Sequence, residues 1–230
     1  MQLTIMIILT LACCILASKY LDYAQRKVYK SALWMKVLAS LCYVAVGVIA
    51  MLGCWYGLYG KLVLCGLILG LVGDVLLVLR EGREDTYNTF LIAGGASLAA
   101  GFATYDIAFI NLTPKVLYIA GPYLVVGLVL SLIYIKKQKF KSPGPFWWWL
   151  FYDAAALFTG GCAAGAAVYA LSPGTVLFAV GGVFLSLSAS LFYAEAFGSR
   201  HSYDRVRMTY ILYYCAQMFA AYSMIMLFVM

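Results

Sequence analysis

The chain has 230 residues, 65% of them hydrophobic and only 11% charged, with a formal net charge of +7 and a mean hydropathy of +0.93. A water-soluble domain of this length needs far less apolar surface to fill its core, so the composition points to a polytopic membrane protein. The positive charge calls for no nucleic acid, because basic loops suit an anionic inner leaflet.

Apolar runs long enough to cross ~30 Å of hydrocarbon at ~1.5 Å per residue fall at 2–18, 34–53, 58–79, 88–110, 116–135, 146–171, 174–197 and 208–229. The first run lacks a basic leader and is followed by a tyrosine-rich basic stretch. It therefore reads as a retained span and not a cleaved signal. Polar breaks separate the runs: Arg80 to Asp85, Asn111 to Lys115 with Pro114, Lys136 to Pro145, and Ser172-Pro173-Gly174. The expected fold is all-α, a polytopic membrane helical bundle with eight transmembrane helices in one domain over 1–230. Short connections make neighbouring helices antiparallel.

Loop charge sets the expected orientation. The odd-numbered connections hold Lys19, Arg26, Lys27, Lys30, Arg80, Arg83, Lys136, Lys137, Lys139, Lys141, Arg200, Arg205 and Arg207. The even-numbered ones hold Lys61 and Lys115. This bias places the odd connections in the cytoplasm and both termini outside a cell membrane. Trp34, Trp147, Trp148 and Trp149 fall where the cytoplasmic aromatic belt is expected, and Trp55 where the outer one is.

Glycine-rich stretches mark close helix approach: Gly66, Gly70 and Gly73 in the third span, Gly94 and Gly95 in the fourth, Gly160, Gly161 and Gly165 in the sixth. The seven cysteines lie in or beside apolar runs without C-x-x-C spacing and read as packing residues. The single histidine, His201, reads as a solvated loop residue. No metal, nucleotide or other cofactor site is recognisable.

The informative residues are the ionisable ones inside the spans: Lys36, Asp74, Asp106, Asp153 and Glu195. Each costs ~2.5–3.5 kcal/mol at a bilayer centre and must face protein, water or a partner. By helical rise, Asp74 lies ~9 Å and Asp153 ~10 Å from the cytoplasmic interface. Lys36 and Glu195 lie close to it, and Tyr213, Tyr214 and Gln217 share that half of the bundle. Asp106 belongs to the outer half. Three readings stay open. Lys36 and Asp74 form a structural ion pair; or the carboxyls form an acid–base site, since two carboxyls in unlike surroundings can share one proton; or the acids line an ion path.

The segment Gly70-Leu71-Val72-Gly73-Asp74-Val75-Leu76-Leu77 resembles the G-D-x-x-L signature of the YhhN family, the eight-span lysoplasmalogenase family. Lys36 to Ser40 looks like its lysine-led segment, Phe90 to Phe109 like its glycine-rich fourth span, and Tyr213-Tyr214-Cys215-Ala216-Gln217 like its closing Y-Y-x-A-Q. The resemblance covers essentially the whole chain in order and spacing.

It implies hydrolysis of the vinyl ether bond of lysoplasmalogens to a fatty aldehyde and a glycerophospho-alcohol, with a lysophospholipid substrate and membrane lipids as partners. Such cleavage needs a carboxylic acid to protonate the β-carbon, a carboxylate near the oxocarbenium ion, and a base for water, as in glycoside hydrolysis. The resemblance then casts Asp74 as the principal acid–base residue and Asp153 or Glu195 as the second carboxyl. Lys36 would bind phosphate or tune the acidity of Asp74, beside Ser40. Tyr213, Tyr214 and Gln217 would line the pocket. The sequence departs from the family at two places. The usual fourth-span H-x-x-Y is replaced by Gly101-Phe102-Ala103-Thr104-Tyr105, and the Asp or Asn usual after a seventh-span Ser is Ala189 after Ser188. The alternative reading is a catalytically degenerate member that binds lipid or carries a small molecule.

Overall fold

In hydrocarbon a backbone must satisfy its own hydrogen bonds, so each apolar run closes into a helix. The computed structural model describes residues 2–53, 57–79, 87–137, 146–197 and 202–227. These form α1 (Gln2–Gln25), α2 (Tyr29–Gly53), α3 (Leu58–Leu79), α4 (Tyr87–Leu112), α5 (Leu117–Lys137), α6 (Phe146–Tyr169), α7 (Pro173–Phe197) and α8 (Tyr203–Met226). A 3₁₀ turn, Pro114–Val116, leads into α5. No strand occurs among the described residues, and the chain is an all-α helical bundle.

Among the described residues seven helices are long and apolar enough to cross a membrane, which makes this a membrane protein. The exception to the expected eight is α8, which opens with Asp204, Arg205 and Arg207 and is polar along its buried face. The helices also outrun the apolar limits. α1 continues through Lys19 and Asp22 to Gln25, and α8 starts at Tyr203 rather than 208. Helical hydrogen bonding does not stop where hydrophobicity does.

The helices α2, α3, α4, α6, α7 and α8 close a ring, each packed on the next and α8 back on α2. α1 rests outside on α2 and α8, and α5 outside on α6; these two are the least buried spans. One end of the bundle collects the C-termini of α1, α3, α5 and α7 and the N-termini of the others. Tyr20 near the end of α1, for example, meets Tyr210 near the start of α8.

Small residues set the closest approaches. A Cβ on Gly161 of α6 would stand 2.7 Å from the Ala120 Cα of α5. That neighbour is backbone and cannot rotate away. Gly161→Ala is expected to cost about 1–3 kcal/mol, read as a lower melting temperature of the purified protein in detergent.

The aromatic belt needs one correction. Trp147 is exposed and Trp148 half-buried, but Trp149 is fully buried against Tyr152 and Phe192. Consecutive helical residues point ~100° apart, so three adjacent tryptophans cannot all face lipid. The cysteines divide similarly: Cys13, Cys42 and Cys162 are buried, whereas Cys14 and Cys65 face outward. Expectations for Cys54, Trp55, Arg80, Arg83, Lys139, Lys141, Arg200 and His201 lie outside the described residues.

Candidate functional site

Helical spacing on α2 puts Lys36, Ser40 and Tyr43 on one face, at i, i+4 and i+7. That face looks into the ring at Asp74 of α3. The Lys36 Nζ lies 3.4 Å from Asp74 Oδ1. Ser40 donates to Oδ2 at 2.7 Å and Tyr43 donates to the same oxygen at 3.1 Å. Lys36 and Asp74 are 1% and 2% exposed, so neither charge is shared with bulk water and each depends on these partners.

Aromatic rings close over the ammonium. Lys36 Nζ stands 4.8 Å from the Tyr210 ring centre and 5.3 Å from that of Tyr20, both in cation–π range. The two rings meet edge to face, with Tyr20 OH donating to Tyr210 OH at 3.0 Å.

A second polar string begins one turn away at Gly70. A Cβ there would lie 3.2 Å from the hydroxyls of both Tyr43 and Tyr213 and 3.3 Å from Gln217 Nε2. The missing side chain lets these atoms converge beside Asp74. Gln217 Oε1 in turn accepts from Tyr105 OH at 2.7 Å, tying α4 to α8. The hydroxyls of Tyr213 and Tyr214 are buried at the site's wall, that of Tyr213 facing Tyr43 and that of Tyr214 facing Ser40.

A cavity opens beside the pair, lined by residues from all six ring helices: Lys36, Asp74, Leu77, Leu98, Tyr152, Ser188, Phe192, Thr209, Tyr210 and Tyr213. Its volume is about 20 Å³, enough for about one water, which needs ~10–15 Å³ by the same measure. Asp74 is the one carboxyl on that lining, so the donor set falls short of what a zinc or calcium ion takes.

The structure thus brings Lys36, Asp74, Ser40, Tyr213 and Gln217 together, with Tyr214 behind them, its ring 5.5 Å from Tyr213 and 6.2 Å from Tyr43. It does not bring in the other two carboxyls. On α6 it is Tyr152 that lines the cavity. Asp153, the next residue, turns outward to accept from Ser190 of α7 at 2.9 Å, and Ser190 contacts Ser131 of α5. Glu195 lies a turn beyond Phe192, where it pairs with Arg205 at 3.2 Å and accepts from the Ser202 backbone N–H at the start of α8. It fastens α7 to α8 at the rim. Asp106 of α4 is also off the cavity lining.

Five residues of the site carry no mark in the sequence pattern: Tyr20, Tyr43, Tyr152, Thr209 and Tyr210. Tyr43 was within reach, since it shares the helical face of Lys36 and Ser40. Nothing in spacing marks Tyr20, which arrives from a peripheral helix.

The sequence model described as YhhN family matches residues 31–224. The matched stretch starts after α1, so it includes every residue of the site except Tyr20. No curated protein and no solved structure matches the chain.

Proposed function

We propose, from the premise that the chain belongs to the YhhN family, that it is a lysoplasmalogenase-like hydrolase cleaving the vinyl ether of single-chain ether lipids. The observation that carries this reading is Asp74, held by Ser40 and Tyr43 on one oxygen, faced by Lys36 on the other, beside room for one water.

With one carboxyl at the cavity, the two-carboxyl scheme contracts to one residue acting twice. Lys36 and Asp74 hold one mobile proton: on the amine they are an ion pair, on the carboxyl a neutral amine and acid. Asp74 gives that proton to the β-carbon of the vinyl ether, leaving an oxocarbenium ion and a carboxylate. The same carboxylate then takes a proton from water as its oxygen attacks the α-carbon. The hemiacetal so formed collapses to a fatty aldehyde and a free glycerol hydroxyl. Proton transfer from a placed side chain is worth roughly 10²–10⁴-fold in rate. The Tyr20 and Tyr210 ring faces oppose the positive charge of the pair, and Tyr213 and Gln217 orient the water or the ether oxygen.

The test is purified protein with lysoplasmalogen, assayed for aldehyde, against a saturated ether lysolipid that has no double bond to protonate. Aldehyde from the first and none from the second supports the reading; none from either overturns it. Asp153→Asn and Glu195→Gln are expected to keep turnover within about threefold of wild type, since neither carboxyl reaches the cavity. A loss of the ~10²-fold size typical of a proton-transfer residue in either would return it to the mechanism.

A second reading, a lipid-binding bundle without turnover, is favoured by the size of the cavity, which admits a water but no alkyl chain. It predicts bound lysolipid with no aldehyde. In either reading α8, wedged between α2 and α7, crosses the membrane as an eighth span, with both termini outside the cell membrane. A reporter fused to the C-terminus and fluorescent only in the cytoplasm would refute that orientation.

A further inference from the structure

α1 is one of the two least buried spans, and the stretch matched by the family, residues 31–224, begins after it. Its Tyr20 is nevertheless fully buried, in one cluster with Ala32 of α2 and Val78 of α3. Ala32 lies one turn before Lys36, and Val78 one turn after Asp74. Because α2 and α3 are antiparallel, both lie toward the end of the bundle where α1 stops. Tyr20 thus sits on the side of the pair that faces that end.

We propose that Tyr20 is a positioning residue: its ring holds the Lys36 ammonium beside Asp74 and out of the neighbouring cavity, which makes α1 part of the working site. Its effect on rate rests on the hydrolase reading; its hold on the ammonium does not.

A lysine stem is a flexible four-carbon chain that fixes no position for its own ammonium. The carboxylate does not fix it closely either. Nζ stands 3.4 Å from Asp74 Oδ1, beyond the ~2.7–2.9 Å of a close charge-assisted hydrogen bond. The ammonium is set back from the carboxylate, within cation–π range of two ring faces, Tyr210 at 4.8 Å and Tyr20 at 5.3 Å. Tyr20 also braces the other ring, edge to face at 82°, with its hydroxyl donating to Tyr210 OH at 3.0 Å.

Tyr210 lines the cavity and Tyr20 does not. Tyr20 therefore reaches the reacting space through Lys36 and Tyr210. That space holds about one water. An ammonium that loses the pull of the Tyr20 face turns into it and displaces the water that attacks the oxocarbenium carbon. Turnover then falls while KM, set by residues on the lining, stays where it was.

Packing and charge are separable here, because a ring that only fills space responds to size, whereas one that holds a cation responds to the electron density on its face. The test uses the full chain in one detergent, with Tyr20→Phe and versions of it whose ring carries one, two or three fluorines. Fluorine drains the ring face at nearly constant shape. The melting temperature is expected to fall stepwise by about 2–4 °C across the series. That slope should vanish in the Lys36→Met/Asp74→Leu background, where no ammonium faces the ring. The kcat for aldehyde release should fall stepwise by about tenfold at constant KM. Tyr20→Leu should lose as much, and Tyr20→Phe, which restores the ring, should recover most of it. A melting temperature indifferent to fluorine, or the same slope without Lys36, would make Tyr20 a packing residue and overturn the proposal even with aldehyde released. A kcat that stays flat or rises along the series would overturn the positioning role. No aldehyde from the wild type would end the hydrolase reading instead, and the melting series would still decide whether the ring holds Lys36.

Discussion

Aldehyde release from lysoplasmalogen is expected to fall roughly 10²–10⁴-fold in Asp74→Asn, with lysolipid binding retained. The amide oxygen still accepts from Ser40 and Tyr43 at the position of Oδ2, but its N–H₂ takes the place of Oδ1 opposite Lys36, so the melting temperature is expected to fall as well. The amide cannot deliver a proton to carbon or take one from water. Because Asp74 is the one carboxyl lining the cavity among the described residues, no neighbour takes over. Measured as initial rates with folding checked by melting temperature, turnover equal to wild type would remove Asp74 from the chemical step. Binding lost together with turnover would instead mark Asp74 as a structural residue and favour the lipid-binding reading.

The second large effect concerns stability. Lys36→Met leaves the Asp74 carboxylate buried opposite a thioether, and breaking one side of such a pair costs about 3–5 kcal/mol. Lys36 also gives up its contacts with the Tyr20 and Tyr210 rings. The double variant Lys36→Met/Asp74→Leu removes both charges together and is expected to recover most of that loss, since apolar replacement of a buried pair is often neutral or better. Thermal or denaturant unfolding of the three variants in one detergent closes the cycle. Additive losses in the double variant would show that the two side chains are not energetically coupled. The double variant should be stable and inactive, which separates the pair's structural role from its chemical one.

Much of this molecule is written in one dimension. Where the apolar runs fall fixes where the helices lie, because an unpaired backbone is not tolerated in hydrocarbon. The third span matches its apolar run at both ends, 58–79. Where the reading slipped, at the end of α1 and the start of α8, charged residues continue a helix beyond the apolar stretch. Helical rise put Lys36 and Asp74 in the same half of the bundle, and the two side chains meet there, 3.4 Å apart.

What depth cannot say is which way a side chain faces. Helical rise assigns Asp153 and Asp74 similar depths, yet Asp153 points to Ser190 of α7 while its neighbour Tyr152 faces the Asp74 cavity. One residue along a helix is a turn of ~100°, so a small change in how α6 rolls on α4 and α7 decides which carboxyl is inside. Glu195 likewise pairs with Arg205 at the rim, a choice made by where α8 begins.

The amino-acid order by itself determined the all-helical membrane architecture and the family, and offered the Lys36–Asp74 pair as one of three open readings. Only the tertiary structure decided that one carboxyl and not three lines the cavity, and that Tyr20 reaches the site from a peripheral helix. The reason is rotational: hydrophobicity and rise set each helix's length and level, but its azimuth is chosen by packing against neighbours distant in the chain.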